Sequence, residues 1–227
     1  MNSQLHPLEI IITGDGSPSL INKALQATYH SKHGAIQESK HIFIQHGLIP
    51  AIEKFGHKLS LFELGFGTGL NAILSAIEAS KNHWQLHYTG MEKFPLNKDL
   101  YTALHLEKQF DMEQHHIVQN ILESKWQQWQ SVSSHFQIKK VQGDILDYPF
   151  DTNYHLIYFD AFAPEKNPEL WSKEILEKVY RLMLQGGIMV TFCAKGSFKR
   201  QLKDIGFKVE SIKGPPGKRE MTRAIKI

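Results

Sequence analysis

The sequence predicts an α/β fold: a mostly parallel sheet wound with helices and finished by an antiparallel hairpin. Three observations carry this. Strand-like apolar runs alternate with helix-periodic segments from residue 59 onward. The first of these strands, residues 59–64, ends in a glycine cluster that opens at once into a helix. The last two strand-like runs, 207–212 and 222–227, are joined only by Gly214-Pro215-Pro216-Gly217. With no helix to carry the chain back, they must pair antiparallel.

Taken in order, residues 8–12 read as a short strand, and Gly14-Asp15-Gly16-Ser17-Pro18 as a turn. Residues 36–54 mix apolar and polar positions in a way that suits a helix. After the strand at 59–64, Leu70, Ile73, Leu74 and Ile77 recur at helical spacing. Residues 86–91 form the second strand, and 95–109 look helical. Residues 111–135 are polar and rich in Gln and His; they are expected to be a helical insertion, with Trp126 and Trp129 packing inside it. Residues 138–141 give the third strand and 155–160 the fourth, apolar on both faces as a buried parallel strand should be. Trp171, Ile175, Leu176, Val179 and Leu182 give the next helix, ended by Gly186-Gly187. Residues 188–192 are the fifth strand, and 197–204 a short helix stopping at Gly206. The whole, 1–227, reads as one domain with an N-terminal extension at 1–55.

Composition excludes several classes. The 227 residues are 41% hydrophobic and 22% charged, ordinary globular usage rather than disorder, collagen or coiled coil. One cysteine, Cys193, forms no internal disulfide. No apolar run approaches the roughly 18–20 residues that span a bilayer, and the start, MNSQLHPLEI, lacks the basic-then-apolar pattern of a signal peptide. A reducing cytoplasm is the expected location. Thirteen histidines are present, but no H-E-x-x-H or cysteine-pair spacing, so no metal is expected. A Cys193–His155 nucleophile pair is weaker than a reading of Cys193 as a small apolar filler. Charge is uneven: residues 195–227 hold ten basic and three acidic residues, a formal +7 against −4 for 1–194. Such a segment is either a solvated face or a surface for a polyanion.

The glycine cluster is Gly65-Phe66-Gly67-Thr68-Gly69. Glycines there allow a tight turn and close approach of backbone N–H groups to a ligand. A dinucleotide fingerprint needs its third glycine one position later, where Leu70 stands. Glu63, two residues before the cluster, disfavours a diphosphate and suits a cation. Glu92 after the second strand can accept from both hydroxyls of a ribose. Asp144 after the third can accept from an adenine amino group. Acids at three successive strand tips fit an adenosyl ligand without phosphate, and together with the terminal hairpin they point to S-adenosylmethionine. An NAD-binding oxidoreductase is the competing reading. After the fourth strand comes Asp160, ending an apolar run where a polar residue needs a reason. It can accept hydrogen bonds from a nucleophile, and Phe162 beyond it can stack on a base or wall the site.

Several segments together resemble one family. They are Phe62-Glu-Leu-Gly-Phe-Gly-Thr-Gly-Leu-Asn71, Glu92-Lys-Phe-Pro-Leu96, Gly143-Asp144, Phe159-Asp-Ala-Phe-Ala-Pro-Glu-Lys-Asn-Pro-Glu-Leu-Trp171 and Gly217-Lys-Arg-Glu-Met221. In order, with Asp15-Gly16-Ser17-Pro18 and Tyr29-His-Ser-Lys-His-Gly34, they are similar to the methyltransferase domain of the bacterial MnmC family of wobble-uridine modification enzymes. One departure is Asp160-Ala161, where Asp-Gly is more usual. The resemblance implies a Rossmann-like methyltransferase fold. It implies methyl transfer from S-adenosylmethionine to the amine of 5-aminomethyl-2-thiouridine in the tRNA anticodon loop. Longer members carry a flavin-dependent oxidase domain next; this sequence stops at Ile227, so the methyl-transfer step alone is expected, with no flavin bound.

The cofactor-binding residues so implied are Glu63, Gly65, Phe66, Gly67, Thr68, Gly69, Asn71, Glu92, Lys93, Asp144 and Asp160, with Asp160 also catalytic. For substrate RNA they are Phe162, Pro164, Lys166, Lys195, Lys199, Arg200, Lys218 and Arg219. Phe66 is a further candidate to stack on a splayed base. Two other readings stay open: a methyltransferase acting on another RNA or a small-molecule amine, and a non-catalytic RNA-binding module.

Overall fold

The computed structural model describes residues 8–227. Residues 1–7 lie outside the described part, and with them most of the stretch on which the signal-peptide reading rests. A small antiparallel sheet comes first, made of β1 (Leu8–Ile12), β2 (Pro18–Asn22) and β3 (Ala27–Thr28) in that order. Then α1 (Ala35–Ser39), a π-helical stretch (Lys40–Leu48) and α2 (Ile49–Phe55) run on as one rod. The helix expected at 36–54 is this rod, and β2 is a strand the sequence reading did not assign.

Eight strands build the main sheet. They are β4 (Lys58–Leu64), β5 (Gln85–Glu92), β6 (Trp129–Ser133), β7 (Phe136–Gln142), β8 (Tyr154–Phe159), β9 (Met183–Thr191), β10 (Phe207–Lys213) and β11 (Glu220–Lys226). Their order is β10-β11-β9-β8-β4-β5-β7-β6. The five strands β9, β8, β4, β5 and β7 are parallel to one another, while β11 is antiparallel to both β9 and β10, and β6 to β7. The hairpin at the C-terminal end is therefore as expected. The chain builds outward from β4 through β5 and β7, then returns to place β8 on the other flank of β4. That reversal opens a crevice at the carboxyl ends of β4 and β8, where ligands bind in sheets of this kind.

Helices cover both faces. Alternation along β4 sends Leu59 and Leu61 to one core cluster, under α1, α2, α3 (Leu70–Asn82) and α5 (His115–Glu123). It sends Phe62 and Leu64 to the other, under α6 (Lys173–Leu182) and α7 (Gly196–Ile205). By the same alternation Glu63 points to the Leu59 and Leu61 side. A short α4 (Lys98–Leu104) follows β5. Among the described residues no helix is long and apolar enough to cross a membrane.

Three expectations need correction. The helical reading of 111–135 holds for α5 but fails at β6, which pairs with β7 at the sheet edge. Edge strands tolerate polar side chains, so Trp-Gln-Ser-Val-Ser carried no apolar strand signal. Trp126 does pack inward, 5.2 Å from the ammonium of buried Lys140 and 6.0 Å from the Phe66 ring, whereas Trp129 is 46% exposed. Gly186-Gly187 does not end α6; the helix stops at Leu182 and the glycines form an irregularity inside β9, where pairing with β8 slips from Tyr154–Met183 to Leu156–Ile188.

Candidate active site

At the tips of β4, β5 and β8 lies a cleft of about 1440 Å³. Its outer wall is the 25–31 segment after β2, with Glu38 of α1. The glycine loop forms the inner wall. Gly65, Gly67 and Gly69 all have positive φ, 93°, 51° and 80°, a region costly for other residues. The N–H groups of Gly65 and Phe66 both donate to the Met91 carbonyl, at 3.0 and 2.9 Å, tying the loop to the end of β5. Gly69 caps α3 rather than lining the cleft. Phe66 reaches the cleft, but its ring is 2% exposed and lies against Gly90, where any Cβ would overlap it. It cannot present a face to a splayed base, so the stacking role expected for Phe66 is withdrawn.

Behind the loop runs a buried polar chain. Tyr88 donates to Glu63 Oε2 at 2.6 Å. Asn71 Nδ2 donates to Glu63 Oε1 and to Asp160 Oδ2, both at 2.8 Å. Glu63, expected to bind the cofactor directly, is fully buried and stands behind the cleft wall, not in it; it meets the cleft only through its bond from Asn71. Burial pushes the Glu63 carboxyl well above the usual carboxylate range, helped by the nearby Asp160 and opposed by the Tyr88 and Asn71 bonds. Burial also raises Asp160, to about 7, with the charge of Glu38 adding to it. Asp160 still reaches the cleft.

The other two strand-tip acids differ. Glu92 lines the cleft and accepts the Gly67 N–H at 3.1 Å and the Phe94 N–H at 3.0 Å. Burial raises its pKa despite those bonds, and each oxygen keeps a second lone pair. Asp144 accepts the Leu146 N–H at 2.9 Å and the Lys93 ammonium at 2.9 Å. Those two contacts, in that order, hold its pKa below the usual value.

The outer wall brings residues that the strand-tip reading did not find. Tyr29 meets Phe162 edge-on with centroids 5.1 Å apart, and its ring lies 3.2 Å from where a Cβ on Gly67 would sit. Tyr101 donates to the Gly67 carbonyl at 3.0 Å. Half-buried His30 is depressed to about 4 by desolvation and pairs with Ser19 at 2.9 Å, so it stays neutral. The signal for this wall in the sequence was the family-like segment Tyr29-His-Ser-Lys-His-Gly34.

The residues expected to meet RNA divide. Phe162 and Lys166 line the cleft; Pro164 lies in the same loop outside its wall. Lys195 is ion-paired with Glu165, Lys199 with Glu220 at 2.6 Å, and Lys218 with Glu38 at 2.6 Å. In this structure these three ammonium groups are paired with internal carboxylates rather than standing free. Arg200 and Arg219 are exposed and have no carboxylate partner among the described residues. Cys193 is buried, and His155 bonds Ser60 instead, at 2.9 Å; no nucleophile pair exists there.

The cleft fits an adenosyl cation. Thr68 Oγ1 and Asn71 Oδ1 are buried without a hydrogen-bond partner, and both residues line it. Such orphaned groups await a ligand or water. Glu92 and Asp160 supply negative charge, and two of the lysines that reach the cleft, Lys93 and Lys218, are already neutralised by Asp144 and Glu38. A pyrophosphate would meet these acids; a sulfonium would be stabilised by them.

Comparison with known proteins agrees. The bifunctional protein MnmC of tRNA 5-methylaminomethyl-2-thiouridine biosynthesis from Pseudoalteromonas atlantica is 32% identical over 96% of this chain, which spans 33% of that protein. Its counterpart from Marinomonas is 30% identical over 92% of the chain, which spans 32% of it. The chain thus covers about a third of these curated relatives. The crystal structure of MNMC2 from Aquifex aeolicus superposes with a TM-score of 0.74 at 26% identity, over 98% of this chain and 72% of that one. Spermidine synthase from Thermotoga maritima, at 11% identity and a TM-score of 0.59, shares the fold. A family model described as S-adenosyl-L-methionine-dependent methyltransferase matches residues 107–227, which sets the nicotinamide reading aside. With that match over more than half its length, the chain belongs to the S-adenosyl-L-methionine-dependent methyltransferases.

Proposed function

We propose that this chain transfers a methyl group from S-adenosylmethionine to the primary amine of 5-aminomethyl-2-thiouridine at the tRNA wobble position, in the cytoplasm. The substrate is the one for which its MnmC relatives are named. The observation that supports it most is Asp160: a carboxyl raised to about 7, held by Asn71, on the cleft at the tip of β8. In this reading Gly65, Gly67, Thr68, Asn71 and Asp160 hold the methionyl part of the cofactor, and Glu92, Lys93 and Asp144 the adenosine part.

Bound S-adenosylmethionine supplies an electrophilic methyl group on a sulfonium. The chain's own residues do the rest. An alkylamine resembles lysine, with a pKa of about 10.4, and arrives protonated, without a lone pair. Asp160 orients its N–H groups and accepts a proton. Asn71 keeps the Asp160 carboxylate in one rotamer by bonding it on one side and Glu63 on the other. Tyr29 and Phe162 wall the base and exclude water. Alignment of this kind contributes several kcal/mol, up to roughly 7–11 in the best cases.

Two expected results follow. Because a cation favours ionised Asp160, cofactor affinity should rise with pH through about 7, where Asp160 titrates. Calorimetry in two buffers should show proton release below that pH, and Asp160→Asn should flatten the profile. An unchanged profile in that variant removes Asp160 from the cofactor site. The same shift makes ligand-free folding less favourable as pH rises from about 4 to about 7, since the folded state holds a proton that the unfolded chain has lost. Second, tRNA binding should weaken with salt, and the double variant Arg200→Ala/Arg219→Ala should reduce the log–log salt slope by about 1–2. A slope equal to that of the parent protein places the RNA elsewhere.

The decisive test compares wobble nucleosides of tRNA from cells with and without the protein, followed by labelled-cofactor transfer into the deficient tRNA. Accumulation of the unmethylated amine, and its methylation in vitro, is the expected result. Methylation of another nucleoside, or of a free amine alone, would replace the substrate.

A further inference from the structure

The ammonium of Lys218 sits in a box. Its Nζ donates to Glu38 Oε1 at 2.6 Å and stands 4.1 Å from the centroid of the Phe192 ring. Glu38 Oε2 accepts the Ser31 N–H at 2.6 Å, which fixes the carboxylate, and Glu38 is 8% exposed. Glu38, Phe192 and Lys218 all line the cleft that holds Asp160. Asp160 feels both charges, Glu38 raising its pKa and Lys218 lowering it. A carboxylate and an aromatic face around a primary ammonium are the groups that recognise an alkylamine ligand. Here the ligand position is filled from within the chain, by a residue on the turn between β10 and β11, beside exposed Arg219.

We propose that the Glu38–Phe192 box is the recognition site for the primary alkylammonium of the RNA substrate, and that Lys218 occupies it as an internal stand-in until an RNA phosphate draws it out. This rests on the reading of the chain as an RNA amine methyltransferase. The physical basis is an exchange of like for like. A nearly buried carboxylate left without a partner is strongly unfavourable. An arriving ammonium replaces the lysine one for one, so Glu38 never loses its partner, and the released Lys218 gains a phosphate. An uncharged substituent cannot make this exchange, because moving Lys218 to the backbone would strand Glu38. Discrimination then comes from the group left unpaired by the wrong substrate. The box thus selects the amine, and Asp160 nearby completes the proton transfer.

The test uses two anticodon stem-loop RNAs, one with an aminomethyl and one with a hydroxymethyl group on the wobble uridine. The parent protein should bind the aminomethyl RNA at least roughly tenfold more tightly. Glu38→Gln should lose about that factor on the aminomethyl RNA and less than about twofold on the other. Equal losses on both RNAs, or an unchanged preference, would overturn the proposal. A second measurement needs no RNA. In Lys218→Met the box is vacant, so millimolar ethylammonium should raise the melting temperature where ethanol does not, and the parent should respond to neither. Absence of that shift overturns the proposal even where Glu38→Gln fails to fold. Methylation of the aminomethyl RNA by the parent protein is followed alongside. Its absence sinks the functional reading; its presence with no effect of Glu38→Gln sinks the box alone.

Discussion

Replacing Asp160 by alanine is expected to slow methyl transfer by roughly 10²–10⁴-fold, the usual contribution of a positioned acid–base group, with a much smaller change in cofactor affinity. The carboxyl reaches the cleft, but its support is local: one bond from Asn71, which also holds Glu63. Alanine leaves the Asn71–Glu63–Tyr88 chain in place, so the fold should survive. Asp160→Asn should fall between, since an amide oxygen can still accept from Asn71 but cannot take a proton. Single-turnover rates and calorimetric affinities separate the two effects. Turnover close to that of the parent in the alanine variant would remove Asp160 from the chemistry.

Gly65→Ala is expected to destabilise the fold by about 2–6 kcal/mol and to abolish activity. Gly65 has φ of 93°, and a Cβ there would overlap the backbone carbonyl oxygen of Asp160. Strain at such a φ costs about 1–3 kcal/mol, and forced overlap adds about 1–3 more. Neither side can retreat cheaply. Gly65 N–H is bonded to Met91, and Asp160 N–H to the Leu64 carbonyl at 2.9 Å. The tips of β4 and β8 would have to part, displacing Asp160. At about 2–4 °C per kcal/mol for a chain of this size, the melting temperature should drop by roughly 4–24 °C. Gly16→Ala is the control: its φ is also positive, at 81°, but nothing lies within 4 Å of the added Cβ. A drop for Gly65→Ala no larger than for Gly16→Ala would show that the close approach is not tight.

The outcome at the two ends of the main sheet shows where sequence reasoning succeeds. The hairpin followed from two strand patterns with only a Pro-Pro loop between them, a constraint that needs no tertiary knowledge. At the other edge, β6 was missed because a strand with one paired side has no need of apolar side chains. Gly186-Gly187 misled for a related reason. Paired glycines end helices and also relax strand irregularities, and local composition does not separate the two.

Within the site the division is similar. Gly65, Gly67, Glu92, Asp144 and Asp160 were legible because each sits directly after a strand, and the topology of an α/β sheet gathers strand ends at one edge. Glu63 was legible as an acid but not as a buried one. Its partner Tyr88 lies 25 residues away, and only the alternation of two adjacent strands points both to one face. Lys218 read as a basic residue in a basic segment. That it grips Glu38, 180 residues earlier, could not be read from either neighbourhood.

By itself, then, the order of residues determined the alternating elements, the glycine turn, the acids at the strand tips and the closing hairpin, because periodicity and backbone restriction act over a few neighbours. The tertiary structure alone decided which acids are buried, which lysines are spent on internal partners and which face of Phe66 is hidden. Those properties depend on desolvation and on pairings between segments far apart in the chain, and they arise only when the sheet is assembled.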